Sequence, residues 1–468
     1  MRRRLKKRIA RYVAAERRVS SRILLYKLAA FAVIGVLAFA VPGQNQTRTD
    51  SAASMRLGLR LFKDARFSSP QGDLQNSCNS CHLLDEDPQG MRVHTDFFAR
   101  SWVPFRATDP RREELRNSPT ILDAGLMPRL HFDGEFSSLE ELVKGTLAGR
   151  PMGWLSGEQD KAVEHVSTVI LKDTGEGAKT DGSYADQFKN AYGANIATLR
   201  RNEVIDLAAK ALSDYIRTQK TARTTPYDRF IQVNGLDAGP ARGEDAKLFA
   251  SRLLDKLVAL EQKRALKMTT GFDAAALKGM KLFLASDGTG SAGNCVICHT
   301  PPLFTDLSFH NMGISQSEYD QVNGDGSFSE LEIPGDGAAH RPSAQFRETP
   351  SKRKPGCADL GHWNFVDLKS SPLRRAGESD DRFLQRMIAT FKTPTLRNLA
   401  FSQPYMHTGA FSTVESAIAE LARLSQMARA GHVREGDDEL ARVRLTDTDI
   451  IQLTVFLQTL NEDLQQRK

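Results

Sequence analysis

The sequence predicts an all-α fold of two tandem halves with long loops, preceded by a transmembrane or signal helix. Three observations carry this reading. The pattern C-x-x-C-H occurs twice, at Cys78–His82 and Cys295–His299. The segments around the two copies recur in matched order. A 19-residue apolar run, Ile23 to Val41, follows a strongly basic leader. The chain has 468 residues, 40% hydrophobic and 26% charged, so it can build substantial cores and is not a disordered polymer. Five cysteines exclude a disulfide-dense scaffold. The net charge of +7 does not mark a nucleic-acid binder. Ten Lys/Arg stand against Glu16 alone between Arg2 and Arg22, and the rest of the chain is slightly acidic.

Residues 1–22 read as a basic cytoplasmic leader and 23–41 as the membrane segment, apolar apart from Lys27 and the Tyr26 hydroxyl. About 20 such residues span a bilayer, and the basic flank stays in the cytoplasm. The segment is either an uncleaved anchor or a signal peptide cut after Ala38-Phe39-Ala40. Both readings place the body in a periplasmic compartment, and the first anchors it to the inner membrane. Residues 42–54 are a polar linker.

C-x-x-C-H is the attachment pattern of a c-type haem. The two thiols form thioethers with the haem vinyl groups, and the adjacent histidine gives the iron its proximal nitrogen. The competing readings are a redox C-x-x-C with an incidental His, or half of a zinc site. Two copies on an exported chain favour two covalently bound haem c groups. The predicted set is therefore Cys78, Cys81 and His82, with Cys295, Cys298 and His299. Cys357, in GCADLGHW, is left over as a lone, partly buried thiol.

The repeat extends beyond the motifs. Leu57-Gly58-Leu59-Arg60-Leu61-Phe62 precedes the first, and Lys278-Gly279-Met280-Lys281-Leu282-Phe283 the second. Downstream, Ser118-Pro119-Thr120 echoes Thr393-Pro394-Thr395, with Gly134 and Gly409 each fifteen residues beyond the proline. Phe-Ser-Ser-Leu-Glu at 136–140 matches Phe-Ser-Thr-Val-Glu at 411–415. Each half ends in an amphipathic helix. The first carries Val204, Leu207, Ala208, Ala211 and Tyr215 on one face; the second carries Ile450, Leu453, Leu457 and Leu460 after a Thr446 cap. This order argues for duplication. The expected domains are two cytochrome c-type haem domains, 55–235 and 236–468, with the boundary between about Thr225 and Asp273. A helix near Glu244 to Lys267 can pack on either. Strand signals are sparse. An insertion at about 315–380, rich in Gly, Ser and Asp, reads as a surface loop excursion.

The chain resembles the bacterial di-haem cytochrome c peroxidase family, which includes the MauG-like enzymes. The resemblance rests on Arg116-Asn117-Ser118-Pro119-Thr120, on Cys298 to Asp306 with Phe309-His310-Asn311, on Lys392 to Asn398, and on Pro404-Tyr405-Met406-His407-Thr408-Gly409. It covers about Met55 to Leu460 apart from the insertion. It implies hydrogen peroxide reduction in the periplasm. Peroxide would bind at the amino-terminal haem, and electrons from a small donor such as cytochrome c or a cupredoxin would enter at the carboxy-terminal haem. It also implies a calcium ion held by Asn117, Ser402 and Pro404, oxygen ligands that suit this cation. A homodimer is compatible with it.

The sequence departs from the family at several positions. Leu421 stands where the second haem's far-side Met, or the Tyr of MauG-like members, is expected; Met427 or His432 are nearby substitutes. Leu142 and Pro151 replace the peroxide pocket's Gln and Glu. Phe132 replaces the tryptophan proposed to relay electrons, and His94 lies at a different offset from the family's displaceable His. Cleaving a bound peroxide needs a group that moves a proton. His131, Arg150 and Glu140, with neighbouring Glu141, are the predicted catalytic candidates. His310 and His407 are expected to organise the second haem pocket. The leading expectation is a peroxidase. The alternatives are an oxidase of a protein or organic substrate, and a non-catalytic electron carrier.

Overall fold

In both halves, the helix ahead of the C-x-x-C-H motif packs on the helix that closes the half. Ser51–Lys63 lies on Arg201–Arg217, and Ala274–Leu284 on Asp447–Gln458. The repeated glycine explains the repeated sequence. A Cβ on Gly58 would land on the Ala211 carbonyl, and one on Gly279 on the Gln452 carbonyl. Only a residue without a side chain lets the two backbones approach this closely. Thr446 caps the last helix as expected, accepting from the Asp449 N–H.

The computed structural model describes residues 51–71, 76–86, 92–95, 116–286, 290–335 and 341–462, with backbone alone for 83–86 and 92–95. The leader, the 23–41 membrane segment and most of the linker lie outside these residues. Among the described residues, no helix is long and apolar enough to cross a membrane.

The duplication reaches individual turns. The Leu130 N–H donates to the Phe136 carbonyl (2.9 Å), and the Tyr405 N–H to that of Phe411 (2.7 Å). His131 and Met406 take the same left-handed conformation (φ 64° and 69°), as do Gly134 and Gly409 (70° and 69°). Ser138 and Thr413 then cap the following helices, Leu139–Leu147 and Val414–Arg429. Upstream, Asp123 accepts from the Thr221 hydroxyl at 2.6 Å, and Asn398 from the Glu462 N–H at 2.8 Å. Each turn is thereby tied to the chain just beyond its own closing helix.

Buried apolar side chains fall into separate clusters. One runs from Ala53 to Ile216 and another from Tyr227 to Leu460. The Ala246–Gln262 helix joins the second through Phe249, Leu253 and Leu257. Tyr227, Phe230 and Ile231 join it too, so packing changes over near Thr225, ten residues before the 235/236 division.

The 315–380 segment corrects the sequence reading. It is no surface loop excursion, because Tyr319, Phe328, Phe346, Leu360 and Trp363 pack with Phe383 and Leu384 into a core of their own. Its apolar residues are too widely spaced to show a period, and only tertiary folding gathers them. A two-residue ladder, Phe309–His310 against Phe391–Lys392, closes its base. The other ladder pairs Leu83–Glu86 with Arg92–Thr95, which puts His94 in a strand opposite Leu84, with its side chain outside the description.

Gly279→Ala should destabilise the protein by about 1–3 kcal/mol through overpacking. Gly290→Ala, where nothing lies within 4 Å, should be near neutral. Calorimetric melting of the two variants makes the comparison.

Candidate haem sites and the wall between them

The two motifs fold alike. Cys78–Cys81 and Cys295–Cys298 are single helical turns. His82 and His299 cap them, donating their backbone N–H groups to Cys78 (2.9 Å) and Cys295 (2.7 Å). One turn puts both thiols and the following imidazole at one edge, the arrangement a covalent porphyrin needs. All four thiols are unpaired. Burial pushes Cys78 and Cys295 up to about 12, and Cys81 and Cys298 also upward. A redox C-x-x-C has a lowered thiol instead, so attachment fits better than disulfide exchange.

The surroundings of His299 form a cavity of about 310 Å³, lined by Cys295, Cys298 and His299 with Phe283, Pro394 and Leu457 among its apolar walls. A ring that donates from Nδ1 to the Phe304 carbonyl (3.1 Å) keeps its lone pair on Nε2. Burial holds His299 below the usual histidine range, so it is neutral and able to ligate. Lys392 also lines the cavity. Burial pushes it down to about 8, Asp133 opposing, and its ammonium donates to the Arg129 carbonyl (3.1 Å). A haem carboxylate would supply the anion this buried cation calls for. These observations fit a c-type haem, which no ligand-free structure displays. Around the first motif, Phe62 lies 6.5 Å from His82 between ring centroids, and Met152 and Trp154 pack against Cys78.

The first half supplies one wall of the His299 cavity, through Asn117–Thr120, Met127 and Phe132. Behind it, Arg116 is clamped by two buried carboxylates. It forms a two-pronged pair with Asp359 (2.6 Å each) and a second pair with Asp133. Burial opposes charge on Asp359 and Arg116, but their mutual attraction outweighs it, raising Arg116 and lowering Asp359. Beside them the His407 ring stacks on Phe391 at 3.8 Å. Its Nε2 lies 3.6 Å from Glu318 Oε2, and both atoms are buried without a hydrogen-bond partner. Burial raises Glu318. His310 is held on both nitrogens, by Asp306 (2.7 Å) and Asp437 (2.6 Å). Burial opposes its charge, but the two carboxylates win and raise it to about 12. It organises the pocket and keeps no lone pair for iron.

The other sequence candidates scatter. Arg150 starts a 3₁₀ turn, Arg150–Met152, beside the first motif, where Asn76 donates to the Pro151 carbonyl (3.3 Å). Leu142 packs on the first core as an ordinary apolar residue. Glu140 corrects the expectation of a proton mover, because its carboxylate lies on the helix surface and is held by Arg217 (2.8 Å). Glu141 is exposed and bonds Ser137. His131 sits 3.4 Å from Glu135 and edge-on to Phe136. Leu421 lines the His299 cavity, while Met427 turns its sulfur to Arg423 (2.9 Å), and neither Met427 nor His432 lines it. Asn117 reaches the Pro404 carbonyl (2.5 Å), and Ser402 lies in the same cavity wall. Cys357 is a buried thiol. The residues missed are Arg116, Asp133, Glu318, Asp359 and His362. The last two lie within the GCADLGHW segment around Cys357, and Asp133 stands directly after Phe132.

Comparisons with known proteins agree with this geometry. Residues 52–235 match the model of a family described as di-haem cytochrome c peroxidase. The chain is 24% identical over 425 residues to the cytochrome-c peroxidase IdrP1 of Denitromonas iodatirespirans, covering 90% of this chain and 84% of that one. It is 24% identical over 474 residues to the methylamine utilization protein MauG of Paracoccus denitrificans, covering 94% and 96%. Among solved structures, the diheme peroxidase BthA of Burkholderia thailandensis superposes with a TM-score of 0.52 at 21% identity, covering 89% of this chain and 88% of that one. That last likeness speaks for the fold.

Two tests follow from the site. Replacing Cys295 and Cys298 by Ala should halve the covalent haem per chain, read as pyridine haemochrome against protein mass. Asp228 pairs with the buried Arg397 at 2.8 Å. Burial raises the Asp228 carboxyl, but the bonds from Arg397 and Thr225 outweigh it and leave it lowered. A lowered carboxyl stabilises above its unfolded pKa and loses that contribution as pH falls through the folded one. Asp228→Asn should therefore cost about 3–5 kcal/mol near neutrality, and flatten the loss of stability below about pH 4. Urea titrations across that range read both effects.

Proposed function

We propose, from the match of residues 52–235 to the model of the di-haem cytochrome c peroxidase family, that this oxidoreductase reduces hydrogen peroxide to water. The overall change is H2O2 + 2 e⁻ + 2 H⁺ → 2 H2O. The family implies two c-type haems; when bound they supply one-electron transfer and the site at which peroxide is held. In this reading one is attached at Cys78, Cys81 and His82, the other at Cys295, Cys298 and His299. Electrons come from a small periplasmic donor, cytochrome c or a cupredoxin, and enter at the second.

The observation that carries the reading is the Leu130–Phe136 turn. Leu130 is buried in the first core and Phe136 packs against it, as Cys78 does, while Phe132 lines the cavity around His299. One short segment thus joins the core on which Cys78 packs to the cavity around His299, and in this reading it is the path for electrons from the second site to the first. Arg150, on the turn whose Met152 packs against Cys78, is a fixed cation able to polarise the departing peroxide oxygen. His131, with Glu135 beside it, is the group that holds a proton on the bridging turn. Glu140 has no part.

The oxidase of a protein or organic substrate is the second reading, and Leu421 favours it. Its side chain lines the cavity where the family's ligand is expected and cannot ligate iron, so this position would give a haem held by His299 no second protein ligand. The electron-carrier reading requires both haems to be firmly six-coordinate. Calcium remains part of the proposal. The Asn117 amide faces the Pro404 and Met406 carbonyls, and with its oxygen and nitrogen exchanged it would present a ligand oxygen there. Anchoring of a periplasmic body by residues 23–41 and a homodimer are likewise proposed.

The deciding experiment mixes holoprotein with peroxide in a stopped-flow spectrometer, first ferric and then half-reduced. A fast change at one haem followed by turnover with reduced cytochrome c supports the peroxidase. A long-lived oxidised state without donor turnover supports the oxidase, and silence in both states supports the carrier. Arg150→Ala should lower kcat/KM for peroxide about 100-fold with haem content unchanged. Leu421→Met should turn the His299 haem low-spin, visible by electron paramagnetic resonance.

A further inference from the structure

The 315–380 insertion and its root strands meet the bridging turn along its middle, residues 132 to 135, while Leu130 and Phe136 pack on the first core. Asp359 holds Arg116, which holds the fully buried Asp133 carboxylate. His362 Nδ1 donates to the Asp133 carbonyl at 2.7 Å. Arg347, bridged to Asp359 through the backbone, pairs with Glu135 at 3.0 Å. At the root, the Phe309 ring lies where a Gly134 side chain would be and stacks on His362 at 3.9 Å, while the Lys392 N–H donates to the Phe132 carbonyl at 2.7 Å. Residues 132 to 135 are therefore each held by a segment between Phe309 and Lys392.

The equivalent turn in the second half, Tyr405–Phe411, has a different hold. Its backbone is held by Asn117, whose N–H donates to the His407 carbonyl (2.6 Å) and whose side chain reaches Pro404 and Met406, and it meets the insertion at Glu318, which accepts from the Thr408 hydroxyl (2.5 Å). The duplication accounts for the two turns. It does not account for Asp359 and His362, which come from chain that the first half lacks.

We propose that the insertion is a clamp that positions the Leu130–Phe136 turn, through Asp359 on Arg116 and through His362 on the Asp133 carbonyl, and thereby sets the rate of electron passage between the two haem sites. This rests on the functional reading above, in which that turn is the path. Transfer through a bridging group falls steeply as the group moves, and a displacement of about 1 Å set up far from the reacting atoms can cost about 100-fold in rate. Asp359 and His362 are positioning residues, since neither lines the cavity at His299.

The test uses holoprotein half-reduced under anaerobic conditions, with re-oxidation of the second haem followed by stopped-flow absorbance after peroxide is added. Asp359→Asn and His362→Ala should each slow that phase about tenfold. Haem content and both midpoint potentials should stay as in the unmodified protein, and Asp359→Glu should restore part of the rate. If Asp359→Asn fails to accumulate as holoprotein, His362→Ala, which removes no charge from the Arg116 cluster, carries the test. Unmodified rates in His362→Ala overturn the clamp, as does a slowing matched by a shift in potential. If the unmodified protein itself passes no electron between the haems, the functional reading falls and the clamp with it; a normal rate there and in the variants removes the clamp alone.

Discussion

A guanidinium buried between two carboxylates is the constraint around which the halves are arranged. The Arg116 guanidinium keeps its charge wherever it is placed, so in this interior it needs Asp133 and Asp359 to compensate it. Those three residues come from the segment that begins Arg116-Asn117-Ser118-Pro119-Thr120, from the bridging turn, and from the insertion. Satisfying one cation therefore fixes three stretches of chain that are far apart in sequence. The wall of the His299 cavity follows, because Asn117 to Thr120 continue directly from Arg116 and Phe132 precedes Asp133. A hydrophobic contact could press the same segments together, but it would not specify which face of the turn meets which strand.

The duplicated scaffold shows what each half needs and where they part. Both need a glycine at the helix crossing, a left-handed residue at His131 or Met406, and a hydroxyl cap at Ser138 or Thr413. These are backbone requirements, so they survive divergence. The side chains that the turns present have diverged freely. The first turn offers Phe132 to the cavity, and the second offers His407 at the matching place, stacked on Phe391 beside the buried Glu318. One scaffold thus places an apolar ring and a polar dyad around the same cavity.

Electrostatics separates roles among the histidines that sequence position alone leaves alike. His299 is neutral because its burial outweighs the Phe304 carbonyl to which its Nδ1 donates. His310 is cationic because two carboxylates hold it. His131 shares Glu135 with Arg347. Neutral imidazole ligates a metal and imidazolium does not, so the first suits iron and the second suits a structural or field-setting part.

The two C-x-x-C-H motifs, the matched repeat, the helical class and the Thr446 cap of the last helix are legible in the amino-acid sequence. Each of these depends on residues close together in the chain: a one-turn motif, a repeated glycine, or a periodic apolar face. Leu421 was legible in the same way, as a side chain that cannot ligate at a countable distance from His407. Tertiary structure alone decided the rest. Glu140 looked available until Arg217, on another helix, took its carboxylate. The 315–380 segment looked like a loop until Trp363 and Phe383 met in a core. Asp133 and Asp359 stand beside Phe132 and within GCADLGHW, but nothing local shows that their charges are buried and paired, because a buried charge is defined by partners that only folding brings within reach.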